Sequence, residues 1–425
     1  MSNDTQPEIR FPGFTEDWEQ RKLGEVVKIN GRIGFRGYTQ ADIIRKEDGG
    51  ILAFSPTNII NNKLDFNVKN TYITKDKYYE SPEIMVKNGD ILFVKTGSTL
   101  GKSASVSNLN EEATINPQIV ILRATSYFIS EFISSYLISN NILKQVAQTR
   151  IGGAVPTLTE TEIKRFQISA PKGKEQQKIG TLFKQLDDTI ALHQRKLDLL
   201  KETKKGFLQK MFPKNGAKVP EIRFPGFTEA WELCKLGRIF DVHTDFVSNG
   251  SFQSLKNNVR FYNDENYAYM IRLQDASNNW RGPWLYTDKH GFDFLKKSTV
   301  YENDILMSDR GTIGKFFLVP KLDRPMTLSS NAVLLRSSNC NNNFIYYMLN
   351  TIDIGNQIKK RTTPGVQPMI SKTEFKKIIT KLPVKEEQKK IGNFFKQLDD
   401  TITLHQRKLD LLKEMKKGFL QKMFV

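Results

Sequence analysis

Cysteine and histidine are both scarce in this sequence. Its 425 residues include two cysteines and four histidines. The cysteines, Cys234 and Cys340, are too few for a cysteine-based metal cluster, and such low usage favours a reducing compartment. The histidines are widely separated along the chain, so they predict no metal site. The composition therefore points away from metal chemistry.

Long apolar runs are missing as well. No stretch of 18 or more apolar residues occurs, so no membrane-spanning helix is predicted. The first residues, M-S-N-D-T-Q-P-E, are polar and contain no apolar signal core. We therefore expect a cytoplasmic protein with no membrane contact.

Catalytic and cofactor motifs are incomplete. The run K-T-G-S-T-L-G-K-S at 95–103 is similar to a phosphate-binding loop, but three residues separate its glycines where that loop requires four. E-x-K tripeptides at 162–164 and 374–376 match the end of many nuclease motifs, but no Pro-Asp pair precedes them. They are better explained as helix starts after Thr159 and Ser371. We expect no catalytic residue, no metal and no cofactor bound by this chain.

Basic residues outnumber acidic ones. The chain has 64 Lys and Arg against 46 Asp and Glu, a formal net charge of +18 that is spread over the whole sequence. Such an excess favours a polyanionic partner, usually nucleic acid. A lysine-rich surface that only confers solubility is the alternative.

Two segments recur almost unchanged. The residues P-E-I-R-F-P-G-F-T-E at 7–16 return at 220–229. A segment of 34 residues at 179–212 returns at 391–424 with four differences. The regions between these segments scarcely resemble each other. A constant frame around two divergent regions predicts two homologous domains with different surfaces.

Short apolar runs and isolated anchors align the divergent regions. Asp90 and Arg123 in the first region match Asp304 and Arg336 in the second. The offset changes by one or two residues along the chain, as expected when loops differ in length on one scaffold. The predicted strands are Asp90–Val94, Ile119–Arg123, Asp304–Met307 and Ala332–Arg336.

Each recurring long segment has a heptad pattern. Apolar residues at alternating three- and four-residue spacing predict one helix over 175–212, and a second in the later copy. A helix of about 37 residues is roughly 55 Å long. The two stripes most simply pair antiparallel, although each stripe can instead pack on its own domain. The residues predicted to pair are Phe183, Leu186, Ile190, His193, Leu197, Leu200, Phe207, Phe395, Leu398, Ile402, His405, Leu409, Leu412 and Phe419.

Candidate DNA contacts lie mainly in loops after the predicted strands. Glycine allows close approach to phosphate, hydroxyl groups donate to phosphate oxygens, and Lys or Arg contacts phosphate or guanine. For any one loop an ordinary hairpin turn is the alternative, and Gln118 and Asn331 are equally suited to cap turns. The candidates are Arg32, Arg36, Lys63, Lys95, Thr96, Ser98, Lys102, Gln118, Arg150, Arg260, Arg272, Gln274, Arg281, Arg310, Thr312, Lys315, Asn331, Arg361, Thr362 and Gln367.

Together these features resemble the specificity subunits of type I restriction-modification enzymes over essentially all 425 residues. The resemblance is carried by the opening P-E-I-R-F-P-G-F-x-x-x-W, the glycine-lysine loops, and the helix K-I-G-x-[LF]-F-K-Q-L-D-D-x-I, each present twice. It implies that two target recognition domains each read one half of a split site in double-stranded DNA. It also implies that the helices separate these domains and dock two methyltransferase (modification) subunits.

The resemblance further assigns the cofactors to partner subunits. S-adenosylmethionine belongs to the methyltransferase subunits, and ATP and Mg to restriction (endonuclease and translocase) subunits. The expected fold is α+β, with two homologous mixed α/β recognition domains separated by two long antiparallel coiled-coil helices in a pseudo-twofold arrangement. The expected bounds are 1–18 for the N-terminal segment, 19–172 for the first recognition domain, 173–214 for the central helix, 215–231 for the repeated N-terminal segment, 232–384 for the second recognition domain, and 385–425 for the distal helix.

Two other functions stay open at this point. One is a DNA-binding regulator or scaffold that pairs with a different protein. The other is a stand-alone nuclease with an unrecognised site.

Overall fold

The chain forms two units built from matching sheets and helices. The computed structural model describes residues 6–149, 155–214 and 216–424. Residues 1–195 and 407–425 form the first unit, and residues 196–406 form the second. Each unit therefore contains one divergent region together with part of each recurring helix.

The first unit is mixed α/β. Its strands are β1 (Glu19–Lys22), β2 (Val27–Gly31), β3 (Ile43–Ile44), β4 (Ile51–Phe54), β5 (Ile59–Ile60), β6 (Lys63–Leu64), β7 (Thr71–Ile73), β8 (Ile91–Val94), β9 (Ser103–Ser105), β10 (Ala113–Ile115), β11 (Ile119–Ala124) and β12 (Gln167–Ala170). Its helices are α1 (Leu23–Val26), α2 (Lys75–Tyr79), α3 (Ser130–Leu137), α4 (Asn140–Thr149), α5 (Glu160–Arg165) and the first part of α6 (Gly173–Lys210). The last part of the second long helix also belongs to this unit.

Two four-stranded sheets organise the first unit. The order β2-β11-β8-β9 is antiparallel throughout. The order β10-β4-β7-β3 contains the parallel pair β10-β4. Strands β1 and β12 pair antiparallel, so the segment that enters the domain lies beside the segment that leaves it.

The second unit repeats this plan. Its strands are β13 (Glu232–Lys235), β14 (Val242–Asp245), β15 (Ala268–Ile271), β16 (Tyr286–Thr287), β17 (Thr299–Val300), β18 (Ile305–Met307), β19 (Phe316–Leu318), β20 (Met326–Leu328), β21 (Val333–Arg336) and β22 (Ile379–Leu382). Its helices are α7 (Leu236–Ile239), α8 (Phe252–Asn258), α9 (Leu273–Ser277), α10 (Lys289–Phe294), α11 (Asn342–Leu349), α12 (Ile352–Arg361), α13 (Lys372–Lys376) and the first part of α14 (Lys385–Lys422). The last part of α6 also belongs to this unit.

The antiparallel sheet of the second unit matches that of the first, and the mixed sheets share one parallel strand pair but differ in the order of their other strands. The order β14-β21-β18-β19 corresponds to β2-β11-β8-β9, and the parallel pair β15-β20 corresponds to β4-β10. Strands β13 and β22 pair as β1 and β12 do. The two divergent regions therefore share one fold, as the sequence predicts.

Both faces of each antiparallel sheet are buried. In β8, Ile91 and Phe93 join one core, whereas Leu92 and Val94 join another. Strand β18 alternates between two cores in the same way. Side chains alternate across a strand, so a continuous apolar run is typical of a strand covered on both faces. The four predicted strands are confirmed as β8, β11, β18 and β21.

The long helices extend beyond the usual length of a globular helix. Helix α6 has 38 residues and lies between Pro171 and Pro213, which confirms one helix over the predicted span with its bounds shifted by two residues. Helix α14 also has 38 residues. At 1.5 Å per residue, each is about 57 Å long.

The E-x-K tripeptides lie at helix starts. Thr159 caps α5: its hydroxyl accepts a hydrogen bond from the Glu162 amide at 3.2 Å, and Glu162 accepts one from the Thr159 amide at 2.7 Å. Ser371 caps α13 by accepting from the Glu374 amide at 3.2 Å. The helix-start interpretation is therefore confirmed.

Among the described residues, no helix is long and apolar enough to span a bilayer.

Candidate nucleic-acid interface

Candidate loops of the first unit connect to its antiparallel sheet at one end of the strands. Strands β2 and β8 end at this edge and β11 begins there, because Gly31 pairs with Val120 and Val94 pairs with Ile119. The loops that follow or precede these strands therefore lie side by side. We define the first loop edge as residues 95–102, 116–118 and 155–158.

Backbone hydrogen bonds hold the first loop edge together. The Lys95 amide donates to the Gln118 carbonyl at 2.8 Å, and the Gly97 amide donates to the Pro156 carbonyl at 3.0 Å. Gly97 has a φ of +109°, and a Cβ there would lie 3.5 Å from the Gln118 side-chain nitrogen. Glycine adopts this φ without strain, so the turn after β8 requires it.

The first loop edge presents neutral polar and basic groups. Asn116 is buried, and its Oδ1 accepts a hydrogen bond from the Gln118 amide at 3.0 Å. Asn116 is therefore the turn cap, while Gln118 is exposed. The Lys95 Nζ lies 3.8 Å from a Glu160 carboxylate oxygen. The other exposed or partly exposed candidates are Thr96, Ser98 and Lys102.

Three basic candidates of the first unit are held by protein groups. Arg32 is 5% exposed, and it donates to the Ile115 carbonyl and the Thr114 hydroxyl, both at 3.1 Å. Burial lowers the pKa of its guanidinium. Arg36 and Lys63 donate to backbone carbonyls at 3.2 and 2.8 Å. Arg32 thus supports the end of β10 beneath the edge, and DNA contact by these three residues stays a prediction.

The second unit brings its candidate loops to the matching edge. Asp245 and Met307 both pair with Val333, so β14 and β18 end where β21 begins. The Gly311 amide donates to the Pro368 carbonyl at 3.0 Å, which joins two loops that are distant in sequence. We define the second loop edge as residues 308–315, 329–332 and 361–370.

The second loop edge has different side chains. Arg310 is exposed, and its Nε lies 3.2 Å from an Asp309 carboxylate oxygen; this hydrogen bond raises the pKa of Arg310. Asn331 has a φ of +69°, a conformation in which asparagine is enriched. Arg361 and Thr362 donate to carbonyls of α12 at 3.2 and 2.9 Å. The remaining exposed candidates are Thr312, Lys315 and Gln367.

The candidates after β15 emerge at the same edge. The Ser329 amide donates to the Ile271 carbonyl at 2.8 Å, which places the end of β15 beside the second loop edge. Arg272 is held by Asp275 at 2.6 Å and donates to the Pro283 carbonyl at 2.7 Å. Arg150 lies outside the described residues. Gln274 and Arg281 follow β15 and are exposed, whereas Arg260 is exposed but precedes β15.

Two ion pairs brace the sheets that carry the edges. Arg123 donates to Asp90 at 2.8 Å, and Arg336 donates to Asp304 at 2.7 Å. The Asp90 and Asp304 side chains are 5% and 2% exposed. These residues are the aligned anchors of the divergent regions, so their match in sequence reflects structural support rather than DNA contact.

In the first unit, the beginning of α6 packs on the end of α14. Phe183 and Leu186 share a core with Leu412 and Phe419. The Lys416 Nζ donates to the Asp187 carboxylate at 2.8 Å. The stripe of α6 therefore packs both on its own domain and on the other helix.

In the second unit, the end of α6 packs on the beginning of α14. The Lys204 Nζ lies 2.6 Å from the Asp399 carboxylate, and the Phe207 and Phe394 rings are 5.1 Å apart. The helices are therefore antiparallel. Every residue predicted to pair is buried or half-buried, including His193 and His405.

Within the described part of the chain, no three His, Cys, Asp or Glu side chains are grouped as metal ligands.

Phenylalanines beyond the helix ends complete both cores. In the first unit, Phe424 lies 5.5 Å from Phe183 and 5.2 Å from Tyr136, measured between ring centroids. In the second, Phe212 lies 5.5 Å from Phe344. Sequence reasoning did not single out Phe212 and Phe424, although the repeated ending K-M-F was a signal for them.

Known proteins share this sequence pattern and fold. A family model described as type I restriction modification DNA specificity domain matches residues 15–202 and 228–414. A protein of Methanocaldococcus jannaschii named as a type I restriction enzyme MjaX specificity subunit is 25% identical over 417 residues, covering 95% of this chain and 92% of that protein. The MjaVIII specificity subunit of the same organism is 22% identical over 422 residues, covering 97% and 92%. The crystal structure of a type I restriction-modification S subunit from M. genitalium has a TM-score of 0.61 at 13% identity and covers 99% of each chain, which shows a common fold.

Proposed function

Because this chain belongs to the type I restriction-modification specificity subunits, we propose that each of its units reads one half of a bipartite site in double-stranded DNA. The two loop edges are the observation that carries this proposal. Corresponding strands form both edges, yet the side chains on them differ. Two domains that share one fold but carry different surface side chains can bind half-sites of different base sequence.

The chemistry of the edges suits DNA. Arginine, such as Arg310, pairs with guanine through two hydrogen bonds, and asparagine or glutamine, such as Asn331 or Gln118, pairs with adenine. Lysine and hydroxyl side chains hold phosphates and set the position of the protein on the duplex. The net charge of +18 supports binding to this polyanion.

The long helices set the spacing between half-sites on this proposal. Each helix, at about 57 Å, exceeds one turn of DNA, which is about 34–36 Å. The same helices dock two methyltransferase subunits. Exposed leucines seven residues apart support docking, because residues at this spacing lie on one helix face and leave apolar surface uncovered. They are Leu192 and Leu199 on α6, 65% and 67% exposed, and Leu404 and Leu411 on α14, 51% and 62% exposed.

The chemistry itself resides in the partners on this proposal. The chain is non-catalytic and binds no cofactor. The methyltransferase subunits bind S-adenosylmethionine and methylate adenine, while restriction subunits use ATP and Mg for cleavage. The chain contributes the choice of sequence.

Domain exchange tests the proposal. The chain is produced with its methyltransferase subunits, and modified adenines are mapped by long-read sequencing. We expect one bipartite sequence with a fixed gap, and no methylation by the purified chain alone. Replacing residues 19–172 with the matching domain of a relative should change one half-site only.

The reciprocal exchange is the matched control. Replacing residues 232–384 should change the other half-site and preserve the first. A single exchange that alters both halves, or neither, contradicts modular reading. Cleavage of plasmid DNA by the purified chain with Mg would instead favour a nuclease.

A further inference from the structure

An exposed apolar segment follows β14 in the second unit. Within residues 246–252, Val247 is 63% exposed and Phe252 is 83% exposed. A phenylalanine this exposed contributes little to the core, because the stabilising effect of an apolar side chain scales with the area it removes from water. Among the described residues of the second unit, Phe252 joins none of the hydrophobic cores.

The segment lies beside the second loop edge. It begins directly after Asp245, where β14 reaches that edge. Asn249 fixes it there: its Nδ2 donates to the Ser298 hydroxyl at 2.8 Å, and its Oδ1 accepts from the Lys297 amide at 3.0 Å. The Thr327 hydroxyl donates to the Ser298 carbonyl at 3.2 Å, which ties this cluster to β20 just before residues 329–332.

Exposed basic side chains lie on the elements next to this segment. The Asp245 carboxylate accepts hydrogen bonds from the Ser248 amide at 2.9 Å and from the Ser248 hydroxyl at 2.7 Å. A cationic surface with an apolar side chain fits duplex DNA, because cations hold the phosphates while an apolar group enters between bases. The basic residues are Lys256, Arg260, Lys296 and Lys297.

The first unit has an apolar residue at the matching position. Gly31 and Asp245 are equivalent, because they pair with equivalent residues of β11 and β21. Two residues later, Ile33 is 40% exposed in the first unit and Val247 is 63% exposed in the second. Both units therefore present an aliphatic side chain here, and the second adds a phenylalanine.

We propose that Phe252 is a wedge that enters the base stack of the DNA bound by the second unit, with Val247 packing in the groove beside it. This inference rests on the proposed function and adds a reading mode to it. Partial unstacking costs less at flexible steps such as TA and CA/TG, so the wedge selects bases that no hydrogen bond contacts.

The test uses the complete methyltransferase complex and a duplex containing the mapped site. The fluorescent base 2-aminopurine replaces each adenine near the second half-site in turn, on either strand, except the methylated adenine, which the methyltransferase itself extrudes from the stack. The wild type should raise its fluorescence at one step. Phe252→Ala should remove the increase and weaken affinity on the order of tenfold, as loss of one aromatic–base contact does. Phe252→Trp should keep both effects.

Tyr127→Ala is the matched control. Tyr127 is 84% exposed but follows the end of β11 opposite to the first loop edge. It should change neither fluorescence nor affinity. Unfolding midpoints equal to that of the wild type would show that both variants fold.

Each other outcome has a definite meaning. An undiminished fluorescence increase with Phe252→Ala overturns the wedge, as does site-specific binding by the wild type with no increase at any position. Loss of methyltransferase-subunit binding by Phe252→Ala, with DNA binding intact, assigns the residue to protein docking and also overturns it. If the wild type shows no preference for the mapped site, the proposed function itself fails.

Discussion

Replacing Phe424 with alanine removes the side chain that closes the core of the first unit. Phe424 is 6% exposed and lies 5.9 Å from Phe132, 5.5 Å from Phe183 and 5.2 Å from Tyr136, measured between ring centroids. Phe212 has the matching place in the second unit and is 5% exposed. The two substitutions therefore form a matched pair in one chain.

The size of the effect follows from these contacts. Phenylalanine-to-alanine changes in cores cost about 3–5 kcal/mol. Phe424 lies beyond the end of α14, where the surroundings relax more easily, so we expect the lower part of this range, about 3–4 kcal/mol. At about 1.4 kcal/mol per factor of ten, opening of the first unit should become roughly a hundred to a thousand times more frequent.

Hydrogen exchange read by mass spectrometry measures this opening locally. Phe424→Ala should accelerate exchange in α3 and leave α11 unchanged, because these helices pack on Phe424 and Phe212 respectively. Phe212→Ala should do the reverse. Equal acceleration of both helices by either variant would refute the assignment of each phenylalanine to one core, and so would no acceleration by either.

Three further outcomes are expected. Burial, followed by the charge of Lys372, lowers the pKa of His243 from 6.5 to about 4. Because the unfolded chain protonates His243 more readily than the folded chain does, the free energy of unfolding is highest above pH 6.5 and decreases as pH falls towards 4. This decrease is at most about 3 kcal/mol. Urea unfolding between pH 4 and 6.5 should show that the free energy of unfolding of His243→Gln changes less with pH than that of the wild type. Asp304→Ala leaves Arg336 without its carboxylate and should lower the free energy of unfolding by about 3 kcal/mol, measured by urea titration; a change below 1 kcal/mol would contradict this. Arg310→Ala should weaken binding to the mapped site by about 1–3 kcal/mol if it contacts guanine, with discrimination lost in the second half-site only; uniform weakening with a smaller salt dependence would indicate a phosphate contact instead.

The sequence alone determined the repeat, the long helices and the central strands. These features depend on local patterns: a heptad stripe predicts α6 and α14, and continuous apolar runs predict β8 and β18. The spacing of apolar residues indicates which face of a helix or strand is buried, so this face can be predicted without knowing which elements pack on it. The near-identical segments around divergent regions likewise indicated two domains of one fold.

Only the tertiary structure decided which candidate side chains lie together and which are used internally. Gln118 reaches Lys95, and Gly311 reaches Pro368, through pairings between segments distant in sequence. Arg32 was indistinguishable from an exposed arginine until its contacts with β10 were known. Phe252 was one of 28 phenylalanines until its exposure distinguished it. Burial depends on contacts between remote parts of the chain, and composition and spacing do not encode those contacts locally.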